Sequence, residues 1–261
     1  MTTATVDRKY ELTSESKTVG DVTLYRIRAL RDIPRWGVEA GDLGGWVQSA
    51  ANLSQVGDAW VYGDAWVYGN ARVFGNARVF GNAQVFGYAQ VFGYARVFGN
   101  ARVFGNARVF DYAQVFGDAR VYNDAQVYNN AQVFGHARVF GDARVFGHAR
   151  VFDYAQVYNN AQVYGHANIA APQHVLSLSP VGSEDIAVTL VRTETGHQVM
   201  AGCWGPGTLD ELAAEVKRRR AEVWVGRDPV DIERWRAQYK HFIRLGKATV
   251  KTWQPETGSD R

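Results

Sequence analysis

The sequence contains a single cysteine, Cys203, which excludes an internal disulfide and a cysteine-based zinc site. Proline is scarce, with 6 residues, and no apolar run approaches the roughly 18 residues of a membrane helix. The first ten residues lack the basic and then apolar order of a signal peptide. The net charge of +3 is small for a nucleic-acid binder. These absences predict a cytoplasmic protein with neither a membrane nor a nucleic acid as its partner.

Glycine, phenylalanine and tyrosine are abundant because much of the chain is one repeat. From Gly57 to Ala170 the sequence consists of nineteen hexads such as GDAWVY and GNARVF, without insertion or deletion. The third residue of every hexad is Ala, the fifth is Val until Ile169, and the sixth is Phe or Tyr until Ala170. A fixed period of this kind indicates an architecture in which each unit buries its apolar face on its neighbours.

A period of six fits a short strand followed by a turn. Side chains alternate along a strand, so Ala and Val of each hexad share one face, and Arg or Gln shares the other with Phe or Tyr. A column of Arg and Gln cannot be the buried side, which places Ala and Val inside. The Gly-Asn and Gly-Asp pairs supply the turns, where positive φ is easily adopted. Three hexads then make one 18-residue coil of a mainly β solenoid, stacked about 4.8 Å from the next.

The stretch Val73-Phe-Gly-Asn-Ala77-Arg closely resembles the motif of the bacterial hexapeptide-repeat family. The resemblance implies a left-handed parallel β-helix. Extended backward in phase, it places Val47 and Leu53 at the Ala-type position and gives about seven coils over residues 45–170. The preceding YRIRALRDI and GVEAGDLGGWV segments are similar to hexapeptide proteins encoded in phages and prophages, which implies such an origin but no activity.

The regions on either side of the repeat have a different composition. Residues 1–44 are predicted to form a small β-rich cap that contains a strand over Val22–Arg28. Residues 171–261 are predicted to form an α+β domain with strands over residues 174–180, 186–192 and 198–202. A capping box of Thr208 and Glu211 opens its first helix, and Asp228-Pro229 starts a second helix that is expected to end near Gly246.

The best-known hexapeptide proteins are trimeric acyltransferases, which use a histidine base near an extruded loop and bind acyl-CoA between neighbouring helices. Here the repeat has no extruded loop, and His136, His148 and His166 occupy a turn position that Asn or Asp usually holds. We expect these histidines to be tolerated corner residues, and acyl-CoA-dependent transfer remains the alternative. His148 and His166 occupy the same corner in successive coils and should stack, which permits a weak metal contact.

Two further sets of reactive or charged residues lie after the repeat. Cys203 could form a nucleophile pair with His174 or His197, although a buried structural cysteine is the commoner arrangement. The basic run Lys217, Arg218, Arg219 and Arg220 is predicted at the end of the first helix. There it is either a solvated helix end or a contact for an anion or nucleic acid.

The outward face of the repeat carries three predicted ladders of aromatic rings, because equivalent residues of successive coils should stack. The three ladders are Phe74, Phe92, Phe110, Tyr128, Phe146, Tyr164; Tyr68, Phe86, Phe104, Tyr122, Phe140, Tyr158; and Tyr62, Phe80, Phe98, Phe116, Phe134, Phe152. Arg72, Arg108 and Arg144 accompany the first ladder and alternate with glutamines, which limits repulsion between their charges.

The ladders admit a structural and a functional interpretation. Rings can cover one another while Arg and Gln stems lie over them. Alternatively, three aromatic stripes exceed what a lone monomer exposes and serve association or a partner. Arginines next to aromatic rings can also bind single-stranded nucleic acid. The repeat contains 9 Arg against 7 Asp, however, and this net positive charge is too small to bind a phosphate backbone.

The sequence thus predicts a non-enzymatic scaffold or binding protein that acts as a rigid rod. The expected partners are a second or third copy of the chain, another protein or a small molecule; no catalytic residue, cofactor or metal is expected. The candidate binding residues are Phe92, Phe110, Phe146, Arg72, Arg108, Arg144, Lys217, Arg218, Arg219 and Arg220.

Overall fold

The computed structural model describes residues 8–253, so residues 1–7 and 254–261 of the two predicted terminal regions lie outside the described part. The described chain is a β-solenoid of about seven turns with parallel sheets, an antiparallel hairpin at one end and an α+β region at the other. The mainly β solenoid predicted from the hexads is therefore confirmed.

Each coil contributes one short strand to each of three faces. Face 1 comprises β3 (Leu43–Val47), β5 (Trp66–Val67), β8 (Gln84–Val85), β11 (Arg102–Val103), β14 (Arg120–Val121), β17 (Arg138–Val139) and β20 (Gln156–Val157). Face 2 comprises β6 (Arg72–Val73), β9 (Gln90–Val91), β12 (Arg108–Val109), β15 (Gln126–Val127), β18 (Arg144–Val145) and β21 (Gln162–Val163). Face 3 comprises β4 (Trp60–Val61), β7 (Arg78–Val79), β10 (Arg96–Val97), β13 (Gln114–Val115), β16 (Gln132–Val133), β19 (Arg150–Val151) and β22 (Asn168–Ile169).

The interior of the solenoid is built from the third and fifth residues of each hexad, as the alternation predicts. From Ala59 to Ile169, every Ala and Val at these positions is 0–1% exposed. The first residue of each hexad turns the corner with positive φ, at 68° for Gly117 and 58° for Asn123. The Asn and Asp residues that replace Gly at some corners are the non-glycine types that best tolerate this conformation.

The first coil is out of phase with the others, which corrects the backward extension of the repeat. Val47 pairs with Val67, and Leu53 with Val73, so both occupy the Val-type position and not the Ala-type position. In the regular coils Val61 pairs with Val79. The sequence separation between Val47 and its partner Val67 exceeds the separation between Val61 and Val79 by two residues. The additional residues lie between Leu53 and Val61. They are accommodated there because the hexads with fixed spacing begin only after this loop.

The N-terminal end of the solenoid is closed by a hairpin and a polar plug. Strands β1 (Tyr10–Val19) and β2 (Val22–Ala29) are antiparallel, and β2 pairs with β3, so the hairpin continues the sheet of face 1. Short 3-10 turns cover Pro34–Trp36 and Ala50–Asn52. The buried Lys9 donates to the carbonyl oxygens of Gly57 and Ala59 at 3.3 and 2.7 Å. These bonds satisfy backbone acceptors for which no preceding coil supplies a donor.

The C-terminal region covers the other end with an antiparallel sheet. Its strands are β23 (Val175–Val181), β24 (Ile186–Thr193), β25 (Gly196–Ala201) and β26 (Trp204–Gly207), and 3-10 turns cover Pro172–His174 and Gly182–Glu184. Neighbouring residues of the sheet point to opposite sides: Val191 and Met200 join the core of the solenoid, whereas Leu190 and Val199 pack in a second core. The sheet therefore caps the last coil and supports the helices.

Two helices pack on the second side of this sheet. Helix α1 (Leu209–Arg218) begins with the predicted capping box of Thr208 and Glu211 and continues as a π-helical turn over Arg219–Val223. Helix α2 (Pro229–Val250) begins as predicted but extends beyond Gly246, which corrects the expected end. A Cβ atom at Gly246 would lie 2.8 Å from Leu209 Cδ2. This glycine therefore serves close packing of the helices. Within residues 8–253, no helix combines the length and apolar character needed to cross a membrane.

Candidate binding surfaces

The three predicted aromatic ladders are present, one on each face. Successive rings stack with centroids 4.6–5.4 Å apart and planes within 20° of each other, as between Phe92 and Phe110 at 4.9 Å. The exception is the first pair of face 3, where Tyr62 and Phe80 meet edge to face at 6.4 Å. All the rings are half-buried except Tyr158, which is exposed. Burial raises the pKa of the Tyr68 and Tyr128 hydroxyls. Each ladder thus covers its ring faces and leaves ring edges at the surface.

Arginine lies over the rings of the same chain on face 2. The Arg108 guanidinium carbon is 5.4 Å from the centroids of both Phe92 and Phe110, and that of Arg72 is 5.8 Å from Phe74. Phe146 stacks between two tyrosines of the same ladder. These predicted binding residues therefore lie together on one face, where cation–π contacts within the chain already engage two of the three arginines.

Face 3 is covered near both of its ends by the terminal regions. Trp36, from the N-terminal region, lies 4.2 Å from the guanidinium carbon of Arg78. Burial and the neighbouring charge of Arg96 lower the pKa of Arg78. At the other end, Arg150 lies 3.9 Å from Glu194 of the C-terminal sheet and over the rings of face 3. Between these ends runs a cleft of about 380 Å³.

The histidines of the repeat occupy exposed corners, as predicted. His136 stacks on Tyr154, and its Nδ1 lies 3.8 Å from Asp118. His148 and His166 stack with centroids 6.1 Å apart. The last two line a cleft of about 510 Å³ between the final coils and the β24–β25 turn.

Residues of the final coils and of the C-terminal sheet form the walls of this cleft. Arg150, Asn168 and Glu194 lie there beside the histidines. The Asn168 amide donates to Glu194 at 3.4 Å. The cleft was not apparent from the sequence, because Glu194 reaches it only through the folding of the C-terminal sheet onto the solenoid. Among the described residues, no group of three or more His, Cys, Asp or Glu could hold a metal ion.

The basic run at the end of α1 is largely paired with carboxylates. Arg218 bonds Glu215 at 2.7 Å and Glu222 at 2.9 Å. Arg219 donates to Glu215 and Glu184 at 3.0 Å, and an Arg220 nitrogen lies 3.7 Å from Glu233. Lys217 lines a shallow cleft between the helices. The geometry supports an ion-pair network around the π-helical turn more directly than an anion site.

The C-terminal histidines have hydrogen-bond partners in the backbone. His174 Nδ1 accepts from the Ala170 amide, and His197 Nε2 accepts from the Leu209 amide, each at 3.2 Å. Burial lowers the pKa of His197. Cys203 is exposed, so the expectation of a buried structural cysteine was wrong. The bond at His197 occupies the nitrogen that would act as a base toward a nucleophile.

Comparison with known proteins identifies the repeat but no activity. Residues 65–79, 71–93, 113–130 and 131–145 match the family model of the YdcK beta solenoid repeat. No curated protein matches the chain. The matched segments lie in the coils whose stacked strands form the three faces, and together they show that this chain is a β-solenoid repeat protein.

Proposed function

We propose that this protein is a non-enzymatic scaffold or binding protein, a rigid solenoid rod that associates with other copies of itself through one aromatic face. The observation that carries the proposal is the set of three continuous ring ladders. Each ladder spans six coils and about 24 Å and leaves its ring edges exposed. Closed pairing of identical chains is the usual way to bury one such patch on every copy.

Rigidity follows from the way the rod is held together. Hydrogen-bonded parallel strands connect every coil to the next on three faces, and the interior between them is filled by buried Ala and Val side chains. Such a rod can hold a partner at a fixed distance or present several identical contacts in a row. Terminal elements block both ends, which favours lateral contact over growth into fibres.

The biological setting that we propose is a phage or prophage, where such a rod would serve assembly or counter a host defence. This part of the proposal rests on the resemblance of the segments before the repeat to phage-encoded hexapeptide proteins. A protein or small-molecule partner would then occupy a surface that self-association leaves free.

Light scattering across micromolar concentrations tests self-association. We expect a dimer or trimer. Phe92, Phe110 and Phe146, or the corresponding triple on another face, are replaced by Ser, and only the triple on the face that forms the interface should dissociate the oligomer. The triples on the other two faces are the matched controls. A wild-type protein that stays monomeric throughout would contradict the proposal and favour ladders that serve only to cover one another.

Acyl-CoA-dependent transfer is the second candidate, favoured by the two histidines in the cleft beside Arg150. An acetyl-CoA binding and turnover assay on the purified protein separates the two functions. The proposed scaffold should show neither binding nor turnover. Turnover that depends on His148 or His166 would establish the transferase instead.

A further inference from the structure

Face 1 carries arginines on three successive strands. Arg102 pairs in register with Arg120, and Arg120 with Arg138, so their backbones are about 4.8 Å apart. All three side chains are exposed. Within residues 8–253 none of them has an ion pair or lies over an aromatic ring. Like charges on adjacent strands repel one another, so this arrangement is unfavourable in an isolated chain.

Arginines on the other faces are arranged differently. On face 2, Arg72, Arg108 and Arg144 are separated by glutamines, and two of them lie over rings. On face 3, Arg78 is held under Trp36 and Arg150 lies beside Glu194. Arg96, also on face 3, pairs in register with Arg78 and is exposed. Face 1 is distinguished because its arginines occupy three successive coils.

The opposite edge of face 1 carries negative charge at the same height. Asp124 follows Arg120 by four residues in the same coil, and Asp142 follows Arg138 in the next. Both aspartates are exposed corner residues. On faces 2 and 3, the residue four positions after each arginine is Asn, Tyr or His. Single aspartates do follow arginines on the other faces, Asp111 after Arg108 on face 2 and Asp153 after Arg150 on face 3. Face 1 differs because its arginines and its aspartates each recur in successive coils, with a ring ladder between the two edges.

The carboxylate nearest in sequence to the arginine stripe does not neutralise it. Asp118 lies two residues before Arg120 at the adjoining corner. It accepts a hydrogen bond from the Asn100 amide at 3.1 Å and lies 3.8 Å from His136 Nδ1. The stripe therefore remains available to an external acidic group.

Resting on the proposed self-association, we infer that face 1 is the dimer interface and that two copies pair with their solenoids parallel about a two-fold axis along the rod. This symmetry keeps each coil at its own height and exchanges the two edges of the face. Arg120 then meets Asp124 of the second copy and Arg138 meets Asp142, while the ladder at Tyr122 meets itself. Each contact occurs twice, as an isologous interface requires.

An antiparallel pairing is disfavoured by the same charges. It would place the arginine stripe of one copy against that of the other and double the repulsion. The face measures about 24 Å by about 13 Å between its corners, which is smaller than a standard stable interface. The dimer is therefore of the weak, salt-sensitive class. Raising the salt from 50 to 500 mM should increase its dissociation constant by about tenfold.

Charge reversal on each edge tests the arrangement. One variant carries Arg120→Glu and Arg138→Glu, and a second carries Asp124→Arg and Asp142→Arg. Each variant alone places like charges on both contacts and should be monomeric by light scattering. An equimolar mixture should restore the dimer, and so should a single chain that carries all four changes. The control is Arg108→Glu with Arg144→Glu on face 2, which should leave the dimer intact. Thermal unfolding verifies that every variant is folded.

The outcomes separate this inference from the broader proposal. If the wild type associates but both face 1 variants keep its mass, while a phenylalanine triple on face 2 or face 3 dissociates it, face 1 is not the interface and self-association stands. A wild-type trimer would contradict the two-fold arrangement only. A wild type that is monomeric at all concentrations would overturn both.

Discussion

The Nζ atom of Lys9 lies 2.7 Å from the carbonyl oxygen of Ala59, inside the first coil of the solenoid. The side chain is fully buried, and burial, with a smaller contribution from Arg31, lowers the pKa of Lys9 to about 8 from its ordinary 10.5. A cation thus closes the end of the rod at a cost in desolvation.

This plug predicts a pH dependence of stability. Between pH 8 and pH 10.5 the unfolded chain holds the lysine proton more firmly than the folded chain, so the free energy of unfolding rises with pH. We expect a gain of about 2 kcal/mol between pH 7.5 and 9.5 in urea denaturation. The variant Lys9→Met should lose this rise, whereas Lys240→Met, at an exposed position, should keep it. An unchanged slope in Lys9→Met would contradict the assignment.

The inward side of the repeat can be tested at Val109. Replacement by Asp places a carboxylate in a dry interior with no partner, and we expect a loss of more than about 4 kcal/mol or failure to fold. Gln114→Asp, at an outward position in the next hexad, should change the free energy of unfolding by less than about 1 kcal/mol. Equal stability of the two variants in chemical denaturation would invalidate the inside and outside assignment.

The corners can be tested at Gly117. Its φ is 68°, and a Cβ atom there would lie 3.0 Å from the backbone nitrogen of Gly135 in the next coil. Asn occupies equivalent corners such as Asn123, so Gly117→Asn should cost about 1 kcal/mol or less. Gly117→Val, with a β-branched side chain at positive φ, should cost more than Asn by about 2 kcal/mol. Thermal and urea unfolding measure the difference, and similar costs would show that backbone conformation does not limit the corner.

The corner histidines should be dispensable. A variant with His136, His148 and His166 all replaced by Asn should fold with the wild-type melting temperature to within a few degrees, because Asn is common at these corners. It should also retain the wild-type mass in light scattering. Loss of a measured acyl transfer in this variant, without loss of folding, would refute the non-enzymatic proposal.

The sequence by itself determined the solenoid, because each hexad encodes its own local structure. Ala and Val at alternating positions, followed by a residue that accepts positive φ, define a strand and a turn without reference to distant residues. The ladders followed in the same way, since a constant period of three hexads fixes which rings stack. The capping box of Thr208 and Glu211 was equally predictable from the sequence, because its two residues are close neighbours in the chain.

Only the tertiary structure decided how the repeat begins and which surfaces remain free. The phase of the first coil depends on a loop of irregular length, so Val47 could not be placed by counting. Arg78 and Arg150 contact groups of the terminal regions, whereas no ion pair or ring contact within residues 8–253 engages Arg102, Arg120 or Arg138. The stacking of these three could have been found by reading every third hexad. Whether the described part of the chain supplies them with partners could not be predicted, because that depends on how the terminal regions pack around the rod.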